Sequence, residues 1–361
     1  MKKISNLFTA LVTVTLSLTA LTLWSCSDDD DISSNVERYQ QAVDATVKAN
    51  KSSDKVILLV AFGSTWQQAF DTFDETLEAY EEAYPSYDIF LSFSSAICIN
   101  RAAAGENTTA RNFYAPAYWL EAFGRVQYET IVVQSLQVIP GEEYARVVSY
   151  VKDFANNSNA DLDDDYLAGV NLYIGTPLMA DVEDVTTVAE AIDSNFKSYA
   201  ASNLVAFMGH GNPEEYDTYS ANIRYTQLEE ALQEINPNYY VGTVDMPENY
   251  KVQVLERMQE DGNTSGTVYC APLMSIAGDH AHNDMAGDDD LSVYVTNSEG
   301  EVEDVSWKCY FAGNGYTCND DTQLTYGLLE YESIRQIWMD HTQAALDGDP
   351  LDYYHSMNPE E

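Results

Sequence analysis

Two of the chain's five histidines and two carboxylates fall within six consecutive residues, Asp279-His280-Ala281-His282-Asn283-Asp284. Imidazole and carboxylate together can bind a divalent metal or move a proton at neutral pH. By itself the segment would serve equally well as a polar helix entry. Its position argues for more, because it follows the apolar run Gly266–Ile276, which reads as a buried strand. In open α/β sheets, ligands bind just past the carboxyl ends of strands. His210 occupies the same kind of position, between Gly209 and Gly211 after the run Asn203–Met208, and Asp245 follows Tyr239–Val244. Two imidazoles and a carboxylate at three strand ends form a site for Co²⁺, Ni²⁺, Fe²⁺ or Zn²⁺ with coordination positions left open. The glycines around His210 let the backbone turn sharply and approach a ligand closely.

The elements that must position these residues alternate along the chain. Strands are expected at Lys55–Phe62, Tyr87–Phe93, Thr130–Leu136 and Gly169–Ile174, then at Asn203–Met208, Tyr239–Val244 and Gly266–Ile276, with a last one at Val305–Tyr310. Helical patterns lie between them, beginning with Gln67–Ala83, and a long amphipathic helix is expected over Gly327–Leu346. Alternation of this kind predicts an α/β fold with four-stranded parallel sheets covered by helices. The two halves also overlay. Leu-Val-Ala-Phe before Gly63-Ser64 matches Leu-Val-Ala-Phe before Met208-Gly209-His210, and Leu136–Glu143 matches Leu273–His280 without a gap. One unit has been duplicated, and a cleft is expected between the copies. At the strand ends the second copy carries His210, Asp245 and His280, where the first carries Ser64, Ser95 and Glu143.

Other chemistries fit poorly. Ser64 stands on a strand-to-helix turn, but Phe62-Gly63-Ser64-Thr65 lacks the second glycine of a nucleophile elbow. No phosphate-binding glycine loop is present, so no nucleotide is expected. His341 and His355 are read as surface residues. The formal net charge of −42, from 17 basic and 59 acidic residues, repels nucleic acid and attracts cations.

Residues 1–25, with Lys2 and Lys3 ahead of an apolar run, read as a secretory signal peptide ending at Cys26. A small residue before that cysteine predicts lipidation of Cys26, and the acidic Asp28–Asp31 that follows looks like an export tag. The chain is therefore expected to be exported and lipid-anchored, in the periplasm or at the outer membrane or cell surface. The expected layout is an acidic tether over 26–53 with a short helix at Val36–Lys48, α/β domains over 54–190 and 191–326, a closing helix over 327–347 and a polar tail over 348–361. An acidic loop at Asn156–Asp165 and an inserted β-hairpin at 288–304 read as solvated decoration. Cys309 and Cys318 flank a turn-rich stretch and could close a small loop, whereas Cys98 and Cys270 read as small core residues. A homo-oligomer is compatible with all of this.

The motifs Val60-Ala-Phe-Gly-Ser64, Gln134–Tyr144, Phe207-Met-Gly-His-Gly211, Tyr240–Val244 and Ala277–Gly287 resemble those of the ATP-independent cobalt chelatases of anaerobic cobalamin synthesis, the sirohydrochlorin cobaltochelatases. The resemblance runs from about Lys55 to the final helix. It implies a chelatase fold of two similar α/β domains with a tetrapyrrole held between them, and a lyase that inserts a divalent metal, Co²⁺ foremost. It also implies that His210 and His280 are the catalytic and metal-binding histidines and that Asp245 is the third ligand. That ligand is commonly Glu in the family, so Asp245 reaches one methylene less far, and Gln137 stands where the family has His. Ser64, Glu143 and Met285 are expected to touch the tetrapyrrole, and Arg101, Arg111, Arg125 and Arg146 to pair with its carboxylates. Export fits a cytoplasmic synthetic enzyme badly. The competing expectation is a surface lipoprotein that binds haem, another tetrapyrrole or metal for acquisition, including removal of iron from haem.

Overall fold

The computed structural model describes residues 29–158, 162–288, 305–320 and 322–351. Two four-stranded sheets form the frame. The first holds β1 (Lys55–Ala61), β2 (Asp88–Phe93), β3 (Thr130–Ser135) and β4 (Asn171–Gly175) in the order β2-β1-β3-β4, all parallel. The second holds β5 (Leu204–Gly209), β6 (Tyr239–Thr243), β7 (Gly266–Leu273) and β8 (Tyr316–Cys318) in the order β6-β5-β7-β8, again parallel. The same strand order in both halves is the duplication expected from the sequence.

The unbroken apolar runs are explained by burial on both strand faces. Ile57, Leu59 and Ala61 point into one core, while Val56, Leu58 and Val60 point into another. On β5, Val205 and Phe207 join the same first core, and Leu204, Ala206 and Met208 join a third. One apolar core therefore runs through both halves, and two others cover the outer sheet faces. The closing helix, Glu332–Asp347, belongs to the shared core and returns to the first half. Its fully buried Trp338 donates to the Gln137 carbonyl, and its Met339 carbonyl accepts from the Tyr84 hydroxyl. The helix Val182–Ala200 crosses the boundary expected at residue 190 without a break and buries Val188, Ile192 and Phe196 in that same core.

Several expectations change. The expected tether contains a 22-residue helix, Asp29–Asn50, whose Val43 and Val47 are wholly buried against the outer face of the first sheet. Apolar residues four apart on one helical face account for this, despite the polar majority around them. The expected strand at Val305–Tyr310 is instead the helix Trp307–Gly313, capped by the Ser306 hydroxyl. Trp307, Tyr310 and Phe311 fall at helical spacing and are buried together, and β8 lies just beyond them. The acidic loop is more than decoration: Leu162 is buried, and Asp163 caps the short helix Asp164–Leu167. Residues 289–304, most of the expected hairpin, lie outside the described residues, as do Cys26 and His355. His341 is half-buried and bonded to Asp184 at 3.2 Å. Cys309 and Cys318 are not joined. All four described cysteines are free, and the Cys270 and Cys318 thiols, on neighbouring strands, share a hydrogen bond. Among the described residues, no helix is long and apolar enough to cross a membrane.

Candidate active site

Both sheets have their topological switch point between the two central strands, β1/β3 and β5/β7, where successive connections leave in opposite directions and open a crevice. Residues following these four strands line one cavity of about 270 Å³ between the halves. Phe62, Gly63 and Ser64 come from the end of β1, and Gln137, Val138 and Ile139 from β3. His210 follows β5, and Ser275, Ile276, Gly278, Asp279 and His280 follow β7. Two tight glycine turns shape the floor. Gly63 has φ +116°, and a Cβ there would stand 2.7 Å from the Phe93 ring. Gly211 has φ +80°, and a Cβ there would stand 2.8 Å from Met246.

His210 and His280 meet edge to face, with ring centroids 4.9 Å apart. In each ring Nδ1 is already engaged. His210 Nδ1 lies 2.7 Å from the Gly211 carbonyl, which can only accept, so Nδ1 carries the ring proton. Asp245 Oδ2 lies 3.5 Å from the same nitrogen. His280 Nδ1 lies 2.5 Å from Asp284 Oδ2. The hydrogen bond to Asp284 raises the His280 pKa above its ordinary value, against the opposing effect of burial. The segment His280–Met285 is a π-helical turn, a local widening often found at functional sites. Each Nε2 is thus left as the lone pair available to a ligand.

Asp245, the expected third ligand, stands beside His210. Among the described residues, no three His, Cys, Asp or Glu side chains stand in a geometry that would hold a metal ion. Asp245 Oδ2 stands 3.5 Å from Nδ1 of His210, but the Nδ1 proton points to the Gly211 carbonyl, which fixes the tautomer of this ring. At His280 the Asp284 carboxylate fixes and polarises the ring. The four-residue spacing of His280 and Asp284, which puts both on one face of a helical turn, is the sequence signal for this role.

Glu143 lines the cavity. Burial pushes its carboxyl pKa up, and the nearby charge of His210 opposes that shift. Ser64 also lines it, but its hydroxyl is 3% exposed, donates to the Ala277 carbonyl and accepts from Trp66 N–H, so it joins the two halves. Met285 does not join the site; it is wholly buried in the outer core of the second sheet. Of the four arginines, Arg101 lines the cavity and bonds Asp279 at 2.6 Å. Arg111 pairs with Asp74, Arg125 with Asp44 and Glu121, and Arg146 with Glu142. Cys98, expected in the core, lines the cavity.

A contact across the halves flanks the histidines and had no sequence signal, because its partners lie more than 200 residues apart. Trp66 Nε1 donates to Asp279 at 2.9 Å, and its ring stacks on His282 at 3.6 Å with an interplanar angle of 7°. His282 Nδ1 lies 3.0 Å from the Gly278 carbonyl, and burial lowers its pKa. His282 is therefore a packing residue between the halves. Phe62 and Ile97, 38% and 67% exposed, form apolar lips at the cavity.

Comparison with known proteins gives a consistent set of relatives. The family model described as cobalt chelatase (CbiK) matches residues 55–347. The sirohydrochlorin cobaltochelatase CbiKC of Nitratidesulfovibrio vulgaris is 30% identical over 296 residues, covering 81% of this chain and 91% of its own. The sirohydrochlorin cobaltochelatase of Salmonella typhimurium is 26% identical over 297 residues, covering 81% and 97%. Among solved structures, SirB from Bacillus subtilis with Fe³⁺ aligns with a TM-score of 0.49 at 12% identity, covering 84% of this chain and 98% of its own.

Proposed function

This chain belongs to the cobalt chelatase family, and we propose that it inserts a divalent metal ion, Co²⁺ first among them, into sirohydrochlorin. The observation that supports this most strongly is the pair of facing imidazoles, His210 and His280, with Nδ1 engaged by the Gly211 carbonyl in the first and by the Asp284 carboxylate in the second, at the switch point of the second sheet.

The substrate metal is drawn by the surrounding acids, Glu143, Asp245, Asp279 and Asp284, and is held between the Nε2 atoms of His210 and His280. Asp284 orients the His280 ring and increases its basicity. The macrocycle lies against the apolar lips Phe62 and Ile97 and the walls Val138 and Ile139, with its open face toward the histidines. Two pyrrole N–H protons must leave as the metal enters, and no redox change is needed. As the ion leaves Nε2 for the macrocycle, the freed imidazole nitrogen accepts a proton, and Glu143, whose buried carboxyl has a raised pKa, is a further acceptor. Ni²⁺, Fe²⁺ and Zn²⁺ suit the same imidazole and carboxylate donors.

We place the enzyme outside the cytoplasm, carried by residues 1–25 as a signal peptide and held at a membrane through a lipid on Cys26. The support is the sequence alone: two lysines, an apolar run, a small residue before cysteine, then acids. A Cys26→Ser variant should shift from the membrane to the soluble fraction. The function is tested by adding Co²⁺ to the chain from Cys26 onward with sirohydrochlorin and following the absorption spectrum. Insertion faster than in the His210→Ala/His280→Ala variant supports the proposal. A stable spectral shift on tetrapyrrole binding, with no insertion, would replace it with a tetrapyrrole-binding role in acquisition.

A further inference from the structure

Gln137 follows β3 at the switch point of the first sheet, opposite the histidines' half, and lines the cavity while only 4% exposed. Its backbone is pinned from two sides, since its carbonyl accepts from Trp338 Nε1 at 3.1 Å and from Leu178 N–H at 3.0 Å. Its side-chain carbonyl is held by the hydroxyl of Ser135, which is itself wholly buried. The amide nitrogen Nε2 is buried and has no hydrogen-bond partner. A buried donor left unpaired is unfavourable in the free protein, and native folds keep few of them. The neighbouring walls, Val138 and Ile139, offer no side-chain acceptor.

The charges around the cavity narrow what the partner is. Arg101 is the one Lys or Arg among the lining residues, and Glu106 and Asp279 already occupy its guanidinium. A ligand carboxylate entering this acidic cleft therefore finds little free positive charge. A neutral amide N–H can bind that carboxylate without adding positive charge that would repel the incoming metal ion. We infer that Gln137 Nε2 donates a hydrogen bond to a carboxylate side group of the tetrapyrrole, making Gln137 a specificity-determining residue on the wall facing the histidines. This rests on the chelatase reading of the cavity.

The test is absorbance titration of metal-free sirohydrochlorin into the wild-type protein, Gln137→Leu and Gln137→Glu, with thermal melts of all three in the absence of ligand. Gln137→Leu should bind roughly 10- to 100-fold more weakly, the range for losing a hydrogen bond to a charged group. Its Tm should be unchanged or higher, because the orphaned donor is gone. Gln137→Glu should bind more weakly still, by repulsion. Wild-type affinity in Gln137→Leu, or tighter binding in Gln137→Glu, overturns this inference and leaves the chelatase reading standing. A fall in Tm with unchanged affinity overturns it in favour of a structural role. If the wild-type protein itself does not bind sirohydrochlorin, the chelatase reading falls and this inference falls with it.

Discussion

His280 presents Nε2 to the cleft because Asp284, one turn later, occupies its Nδ1 at 2.5 Å. A carboxylate in this position fixes the tautomer and makes the ring a better ligand and base, and losing such a partner typically costs 10- to 100-fold in metal affinity or activity. Asp284→Asn should therefore slow metal insertion by roughly that factor while leaving the melting temperature nearly unchanged, since the side chain is partly exposed. Initial rates and melts check it, and an unaltered rate would remove Asp284 from the site. The two histidines were legible because each lies past the carboxyl end of an apolar strand, His210 directly and His280 seven residues on. Met285 was misplaced because, as the last residue of the π-helical turn, it points back into the core, and that local winding leaves no mark in composition. The contact of Trp66 with Asp279 and His282 was not legible at all, since only the fold brings these residues together.

Among the elements, the strands were read well and the irregular connections less so. Strands buried on both faces announce themselves as continuous apolar runs, which is why β1, β5 and β7 fall where expected. The short Trp307–Gly313 helix was taken for a strand because its aromatic and β-branched neighbours suit either state, and only the burial of positions three and four apart decides. The turn after β1 leads directly to Trp66, which fastens the first half to the π-helical segment of the second. Trp66→Ala removes the ring stack and the bond to Asp279 from a half-buried position. It should lower stability by about 2 kcal/mol, measured by urea denaturation. No change would mean that this contact adds nothing to the hold between the halves.

For the whole molecule, the sequence showed a duplicated α/β unit but not that the copies share an interior. Phe93 and Trp338 on one side and Phe196, Phe207 and Tyr239 on the other belong to one continuous core. The halves should therefore unfold together, as one calorimetric transition, and two separated transitions would contradict the shared core. The closing helix adds a pH-sensitive tie. Burial alone would lower the His341 pKa, but the bond to Asp184, its charge and the Thr176 and Pro177 carbonyls together outweigh that, and the net shift is upward from 6.5. Asp184 is shifted downward from 3.8, burial being outweighed by His341 and by backbone N–H groups. A raised histidine stabilises below its ordinary pKa and loses that contribution as pH rises through the folded value. A lowered aspartate stabilises above its ordinary pKa and loses it as pH falls through the folded value. The tie is therefore strongest between 3.8 and 6.5. The Tm difference between the wild-type protein and His341→Gln should be larger at about pH 5 than at about pH 8.5. An equal difference at both would show that the pair is energetically silent.

The central claim, that the facing imidazoles perform metal insertion, is tested most directly by single-turnover kinetics of His280→Ala. Sirohydrochlorin is bound first, Co²⁺ is then mixed in, and insertion is followed by absorbance. The account predicts that the variant binds the macrocycle with near wild-type affinity but inserts Co²⁺ at least about 100-fold more slowly, the scale lost with a positioned acid–base group. Insertion at the wild-type rate would contradict it.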